Sequence, residues 1–252
     1  MTRIDVASRA NPHLKRLLAE REKWFFFAGG KLVRDLLARP LRVEKLLVRS
    51  DLQGGTPAPR ADVGEEWRVS PEVMAKAAGM QSPPELLAVL DIPETRIDFS
   101  RCRLTVALVG VQDPGNLGTA FRCASAFAVP ALALAGDGAR PNHDRVVRAA
   151  QTALLDVPFQ VFGDPGRLVA AALEAGARVY ATGSRAWGGT LAPDRLEFPC
   201  LLLLGGEGQG LEPRLLERFP CVRIDQEERI DSLNVGVSAC ILMHELRRLR
   251  RT

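Results

Sequence analysis

Short, almost wholly apolar segments of strand length alternate along this chain with longer segments that have one apolar face. Leu104–Val109, Ala131–Ala135 and Cys200–Leu204 are the clearest of the short segments. Strands that are apolar on both faces are typical of parallel sheets covered by helices on both sides. Helix-length segments follow these strands, as they do in βαβ units. The alternation therefore predicts an α/β fold built on a parallel sheet.

The alternation is interrupted at a connector, Ile92–Ser100, which contains Pro93 and mixed charges. We therefore expect two domains, residues 1–95 and residues 100–252. At 252 residues the chain is long enough for each domain to bury a core of its own. In the first, strands are predicted at Trp24–Ala28, Val43–Val48 and Leu86–Leu90, and helices at Pro12–Glu22, Lys31–Ala38 and Pro71–Ala78. In the second, the predicted helices include Leu117–Phe127, Arg145–Ala153 and Ser232–Arg248.

Composition excludes several classes of protein. The apolar fraction of 46% and the charged fraction of 25% are those of globular proteins. The longest apolar runs have strand length, and the N-terminus has no apolar signal-peptide core, so we expect a cytoplasmic protein without a membrane span. The five cysteines form no C-x-x-C pair and the three histidines are scattered. Neither a disulfide framework nor a metal site is expected.

Positive charge is concentrated at the front of the chain. Residues 1–60 carry 13 Lys and Arg against 6 Asp and Glu, an excess of seven, whereas the whole chain has a net charge of +4. All five lysines lie at or before Lys76. This asymmetry indicates either a module that faces a polyanion or the ordinary solvated surface of an arginine-rich protein.

The first of three glycine-rich segments directly follows Leu104–Val109 and opens a predicted helix. The carboxyl ends of strands are the edge at which open α/β sheets bind ligands. Its glycines, Gly115 and Gly118, fit neither G-x-G-x-x-G nor a P-loop, which disfavours nucleoside triphosphates. Asn116 and Arg122 are its candidate functional side chains, although a tight turn followed by a surface arginine would give the same pattern.

The second segment surrounds Glu207 with four glycines, so that its backbone can approach a flat ligand closely. The third, residues 230–239, places Ser232 and Asn234 at the entry of an otherwise apolar helix. Helix capping explains Asp231 or Ser232 without any function, and we expect that it does not explain Asn234.

Together, the three segments resemble the motifs of the SpoU/TrmH branch of the SPOUT RNA methyltransferases. The motif N-x-G-x-x-x-R appears as Asn116, Gly118 and Arg122, the motif G-x-E-x-x-G-L as Gly205, Glu207, Gly210 and Leu211, and the motif S-L-N-V as Ser232–Val235. They occur in the order of the family and at family-like separations. The chain departs from the family at Gly206, where Asn is often found, and at Ile224–Gln226, where Ile-Pro-Met is common.

The front of the chain carries a further part of the resemblance. Asn11–Lys15 is similar to the N-P-x-x-K pattern of the substrate-binding domain that precedes the catalytic domain in ribosomal-RNA members. Pro83–Val89 resembles the segment that closes that domain. The resemblance therefore covers nearly the whole chain.

The resemblance implies a fold, a cofactor and a set of site residues. The fold is a catalytic domain with a parallel sheet and a C-terminal trefoil knot, preceded by a small ribosomal-protein-like α/β substrate-binding domain. Members of the family work as homodimers with active sites at the dimer interface. Catalysis would use Arg122, Asn116, Glu207, Ser232 and Asn234. The cofactor, S-adenosylmethionine, would contact Leu204, Gly205, Gly206, Gly208, Gly210, Ile224, Leu233 and Asn234. RNA would contact Lys15, Arg16, Lys23, Lys31, Arg34 and Arg122.

The activity that the resemblance implies is methylation of a ribose 2′-hydroxyl, in 23S ribosomal RNA. One alternative is the same chemistry on tRNA, which the front domain disfavours because the best-known tRNA members lack it. Another is a non-catalytic RNA-binding protein of the same fold, which the intact motif side chains disfavour.

Overall fold

The computed structural model describes residues 2–52, 59–183, 190–208, 210–227, 229 and 232–248. They form two compact units, one of Met1–Pro93 with Asn142–Thr152, and one of Glu94–Pro141 with Ala153–Thr252. The predicted division was between residues 95 and 100, with the two domains consecutive in the chain. The structure differs in that Asn142–Thr152 packs with the first unit.

The first unit has a five-stranded mixed sheet in the order β1-β4-β3-β5-β2. β1 and β3 are parallel to β4, and β5 is antiparallel to both β3 and β2. Its elements up to the connector are β1 (Thr2–Val6), α1 (Pro12–Ala19), β2 (Phe25–Ala28), α2 (Gly30–Leu37), β3 (Arg42–Arg49), β4 (Asp62–Val69), α3 (Pro71–Ala78) and β5 (Leu86–Leu90).

Local sequence fixes where the helices of this unit begin. The Asn11 side chain accepts a hydrogen bond of 2.8 Å from the His13 backbone N–H, and Ser70 accepts one of 3.4 Å from that of Val73. Each cap is followed by a proline at the first helical position, where its missing N–H costs nothing. The predicted starts of α1 and α3 are therefore confirmed.

The two faces of the first sheet are covered by different helices. α1 and α3 pack Leu14, Leu17, Val73 and Met74 against the fully buried Trp67. The buried side chains of α2 lie outside that cluster, and α2 contacts β2 and β5. α1 and α2 therefore cover opposite faces of the sheet.

The second unit has a seven-stranded sheet in the order β10-β12-β9-β11-β6-β7-β8, and every pair of neighbouring strands is parallel. The predicted α/β fold with a parallel sheet is confirmed. Its elements are β6 (Leu104–Val109), α4 (Pro114–Ala126), β7 (Ala131–Ala135), α6 (Ala153–Asp156), β8 (Phe159–Phe162), α7 (Pro165–Glu174), β9 (Arg178–Thr182), β10 (Thr190–Leu191), β11 (Cys200–Gly205), α8 (Pro213–Arg218), β12 (Cys221–Val222) and α9 (Val235–Arg248).

Successive residues of these apolar strands point to opposite faces of the seven-stranded sheet, so that each face carries a core of its own. On one face, Leu168 and Ala172 of α7 and Leu215 of α8 pack against Ala107 and Leu203 of the sheet. α4 and α9 pack on each other, and they contact the sheet at β7 and β11. Because neither α4 nor α9 contributes a residue to the core beneath α7 and α8, these two helices cover the opposite face of the sheet.

Several elements differ from the sequence prediction. β1 and β4 were not predicted, since each mixes charged and apolar residues, and the two-residue strands β10 and β12 were not predicted either. The helix predicted over Arg145–Ala153 is two helices, α5 (Asp144–Ala150), which belongs to the first unit, and α6. They are separated at Gln151, which has a φ of 54°, a backbone conformation that L-residues rarely adopt.

Three further predictions concern membrane spans, the cysteines and the knot. No helix among the described residues is long and apolar enough to span a membrane. The five cysteines are free thiols. The C-terminal trefoil knot stays a prediction from the resemblance.

Candidate functional site

The N-terminus of α4 holds the first motif in place. The Asp113 carboxylate accepts a hydrogen bond of 2.9 Å from the Asn116 backbone N–H, and Pro114 occupies the first helical position. This cap fixes the direction in which the Asn116 side chain leaves the helix. The side-chain amide of Asn116 donates a hydrogen bond to the Glu207 carboxylate. Two motifs that are 91 residues apart in sequence thereby meet side chain to side chain.

The glycine-rich loop after β11 needs glycine where backbones approach each other. A Cβ on Gly205 would lie 2.3 Å from backbone atoms of Gly210 and Leu211, and one on Gly206 would lie 2.2 Å from the Gly110 carbonyl oxygen. The Gly206 N–H donates a 2.8 Å hydrogen bond to the Val109 carbonyl. The absence of a side chain at position 206 is therefore a requirement of this structure.

The far side of the same loop borders open space. Gly208 and Gly210 have φ values of +84° and +65°, which favour glycine, and a Cβ on either would meet no atom of the described residues within 4 Å, its chain neighbours aside. Both residues are exposed. Their backbone groups can therefore approach a flat ligand closely, as the sequence predicted.

Asn234 caps α9, contrary to the prediction. Its side-chain oxygen accepts hydrogen bonds from the backbone N–H groups of Gly236 at 2.9 Å and Val237 at 3.3 Å. The expectation that capping falls to Asp231 or Ser232 is wrong for Ser232, which precedes the helix by three residues, and Asp231 lies outside the described residues. The error arose because the apolar pattern does not show that the helix begins only at Val235.

Gly236 brings the third motif against the first. A Cβ at this position would lie 3.1 Å from the Asn116 side-chain oxygen and 3.2 Å from that of Asn234. The N-termini of α4 and α9 therefore lie side by side, and Asn116 is close to residues of both other motifs. The three glycine-rich segments of the sequence converge on this one side chain.

α4 and α9 run parallel from this point. The Cys123 thiol lies beside that of Cys240, the Phe127 and His244 rings lie 5.4 Å apart, and Arg247 donates to the Ala126 carbonyl at 3.0 Å. Burial, followed by the contact with Cys240, raises the pKa of Cys123 to about 12. This thiol is therefore protonated at neutral pH and serves as packing between the helices.

Arg122 lies on α4 with its side chain exposed. It follows Asn116 by six residues, which corresponds to about 9 Å along the helix axis. Among the described residues no carboxylate lies within ion-pair distance of it. Its guanidinium is available to a ligand that reaches this face of α4.

Comparison with known proteins identifies the family. Residues 103–244, more than half of the chain, match the SpoU rRNA Methylase family. The chain belongs to the SpoU rRNA methylase family. It is 28% identical over 248 residues to the 23S rRNA (guanosine(2553)-2′-O)-methyltransferase RlmP of Bacillus subtilis, which covers 92% of this chain and 94% of that protein.

Two further similarities concern a less characterised relative and a solved structure. An uncharacterised tRNA/rRNA methyltransferase of Synechocystis is 33% identical over 184 residues, 72% of this chain and 67% of that protein. A crystal structure of an AdoMet-bound rRNA methyltransferase from Sinorhizobium meliloti superposes with a TM-score of 0.80 at 25% identity, over 98% of both chains. The fold of this SpoU family member is thus shared over its whole length.

The remaining predicted residues of this SpoU family member are dispersed. Ser232 is exposed, and among the described residues no hydrogen bond joins it to Asn116 or Glu207. Leu204 is buried near the carboxyl end of strand β11, just before the loop. Ile224 and Leu233 are half-buried in the segment between β12 and α9. No group of three or more His, Cys, Asp or Glu side chains that could hold a metal ion is found within the described parts of the chain.

The basic residues predicted to contact RNA are exposed but do not form one patch. Lys15 and Arg16 lie on α1, and Lys31 and Arg34 on α2, on opposite faces of the first sheet; Lys23 lies in a short turn between them. Arg16 pairs with Glu20 at 3.6 Å, and Arg34 with Glu85 at 2.5 Å. Among the described residues the three lysines have no ion-pair partner.

Asp113 is a position at the candidate site that the sequence reasoning missed. It had a readable signal, because Asp followed by Pro marks the cap and first residue of a helix. Gly236 packs closely on Asn116, 120 residues earlier in the chain, and no local pattern indicates that partner.

Proposed function

We propose that this protein transfers a methyl group from S-adenosylmethionine to a ribose 2′-hydroxyl of 23S ribosomal RNA. The observation that supports the proposal most is the convergence of all three motifs on Asn116, which bonds Glu207 and packs against Gly236. Family membership and the names of the relatives support the same reaction. A ribosomal-RNA substrate also implies a cytoplasmic location.

The loop after β11 fits S-adenosylmethionine. Its backbone at Gly208 and Gly210 borders open space, so that a flat adenine ring can lie directly against peptide groups. Leu204, Gly205 and Gly206 would form the floor, and Ile224, Leu233 and Asn234 the opposite side. When bound there, the cofactor supplies an electrophilic methyl group on a sulfonium.

Arg122 would act on the acceptor. An arginine guanidinium carries only N–H donors and no acceptor, so it is unsuited to accept the hydroxyl proton. A guanidinium is suited to stabilise negative charge that develops on the 2′ oxygen, or to hold the adjacent phosphate. As the O–CH3 bond forms and the S–CH3 bond breaks, the hydroxyl proton would pass to solvent water and S-adenosylhomocysteine would leave. Asn116, Glu207 and Ser232 would orient the ribose and Arg122, and such positioning supplies a large part of the rate enhancement.

The proposal includes a homodimer. Val237 on α9 is a large apolar side chain left 46% exposed, and Ile241, one turn further along the same face, is half-buried. Burial of this face against a second copy would remove apolar surface from water. A light-scattering mass of twice the 27.5 kDa chain supports the dimer, and a mass of one chain at micromolar concentration contradicts it.

Labelled S-adenosylmethionine with separate pools of 23S rRNA, 16S rRNA and tRNA tests the function. We expect label in 23S rRNA, resistant to alkaline hydrolysis as a 2′-O-methyl dinucleotide. Arg122→Ala should abolish incorporation with the cofactor Kd nearly unchanged, whereas Arg167→Ala, an exposed arginine on α7, should act like wild type. Label in tRNA alone would establish the tRNA alternative, and RNA binding without label the non-catalytic one.

A further inference from the structure

A small cavity lies at the carboxyl edge of the sheet, beside the site described above. It has a volume of about 220 Å³ and lies where β6, β7 and β8 end and α4 begins. Leu117, Leu134, Val111 and Val161 are apolar residues of its lining, and Asp137 and Arg140 are the charged residues of that lining. Val161 is 42% exposed, so an apolar lip faces the solvent.

The walls of the cavity are tied together by hydrogen bonds. The Gly110 N–H donates to the Ala135 carbonyl, and the Ala139 N–H to the Val111 carbonyl, both at 2.8 Å. Gln112 donates from its side chain to the Asp137 carbonyl. A Cβ on Gly138 would lie 2.8 Å from the Val111 carbonyl oxygen. The two loops are therefore held at backbone contact, and the cavity between them is preformed.

One backbone segment separates this cavity from the glycine-rich loop. Val111 lines the cavity, while the Gly110 carbonyl oxygen on the other side leaves no room for a Cβ on Gly206. At the start of α4, Leu117 lines the cavity and its neighbour Asn116 bonds Glu207. A ligand in the cavity would lie next to the residues that the proposed function places at the ribose.

We propose that this cavity binds the base of the nucleotide that is methylated, and that Asp137 makes it selective for guanine. The proposal rests on the proposed function, because it takes the ligand to be the acceptor nucleotide. Roughly 300–1,000 Å³ is typical of pockets for drug-sized ligands. At about 220 Å³ the cavity suits one ring system and is too small for S-adenosylmethionine.

The chemistry of the lining matches an unstacked base. RNA-binding proteins read single-stranded bases by packing their faces on flat or apolar groups and by hydrogen bonds to their edges. The walls provide the apolar contact, and a carboxylate at the rim is an acceptor only. Guanine presents two neighbouring donors, N1–H and the N2 amino group, which one carboxylate can bind together; the other three bases present no such pair.

Nucleotide titration tests the cavity without any methyl transfer. Full-length protein with labelled Leu and Val methyl groups is titrated with GMP, AMP, CMP and UMP in the presence of S-adenosylhomocysteine. We expect GMP to shift the methyl resonances of Leu117, Leu134 and Val161 at lower concentration than the other nucleotides do, and Asp137→Asn to remove that preference. Equal shifts with all four, or none at these methyls, would overturn the proposal.

A variant that fills the mouth of the cavity tests its role in the reaction. Val161→Trp should raise the KM for RNA at least tenfold and leave the Kd for S-adenosylmethionine unchanged. Leu173→Trp, at a position on α7 that is 40% exposed, is the matched control and should change neither. An unchanged KM in Val161→Trp would refute a base subsite. If wild-type protein methylates no RNA, the proposed function fails, and the nucleotide titration still decides what the cavity binds.

Discussion

Asn234 has a structural role and a proposed catalytic role, and substitutions can separate them. Its side-chain oxygen accepts two backbone N–H groups at the start of α9. Loss of such a cap costs about 1 kcal/mol, which lowers the Tm of a domain of this size by about 2–4 °C. Asn234→Ala should show that loss. Asn234→Asp should not, because Asp is as good a cap and its charge is favourable at a helix N-terminus.

The kcat values of the Asn234 variants should not follow the order of their Tm values. Asp at position 234 would place a second carboxylate beside Asn116 and Glu207, so both variants should lose at least tenfold in kcat. Asp164→Ala is the matched control, since Asp164 caps α7 through the Arg167 N–H at 2.9 Å and lies outside the site; it should lower the Tm to a similar extent and keep kcat. Thermal unfolding by circular dichroism and a methylation assay provide both readouts. Full activity in Asn234→Asp would show that Asn234 is a cap alone and would refute its catalytic assignment.

Two further predictions concern the glycine loop and the first unit. Gly206→Ala should lower the free energy of unfolding by at least about 2 kcal/mol, because overpacking at a rigid backbone contact is destabilising. Gly163→Ala is the control: a Cβ there has no atom of the described residues within 4 Å, and the free energy of unfolding should change by less than about 0.5 kcal/mol. Equal urea midpoints for the two variants would contradict the contact at Gly206. Burial raises the pKa of Glu65, but hydrogen bonds from Trp67 and Lys45 outweigh burial and lower it. The resulting stabilisation should be present above about pH 4.3, the ordinary Glu pKa, and be lost as the pH falls through the lowered pKa. The difference in the free energy of unfolding between wild type and Glu65→Gln, followed by tryptophan fluorescence, should therefore shrink on acidification. A constant difference from pH 7 to pH 3 would refute the linkage.

Local patterns predicted most of the elements because their causes are local. Apolar runs such as Cys200–Leu204 became buried parallel strands, and Asn11 and Ser70 became caps where a proline follows them. Two of the strands that were missed, β1 and β4, carry charged residues on an exposed face, so they lack the continuous apolar run. The other two, β10 and β12, have only two residues each. The break at Gln151 was missed because a non-glycine residue there gives no sign of a positive φ.

The sequence by itself determined the family motifs, the glycine-rich loop and the basic front of the chain. Only the tertiary structure decided that Asn116 bonds Glu207, that Asn234 caps α9, that Gly206 has no room for a side chain, and that Gly236 packs closely on Asn116. It also decided that the basic residues of α1 and α2 lie on opposite faces of one sheet. The physical reason is that capping and strand formation depend on neighbours in sequence, whereas each of these features depends on atoms brought together by sheet order and helix packing.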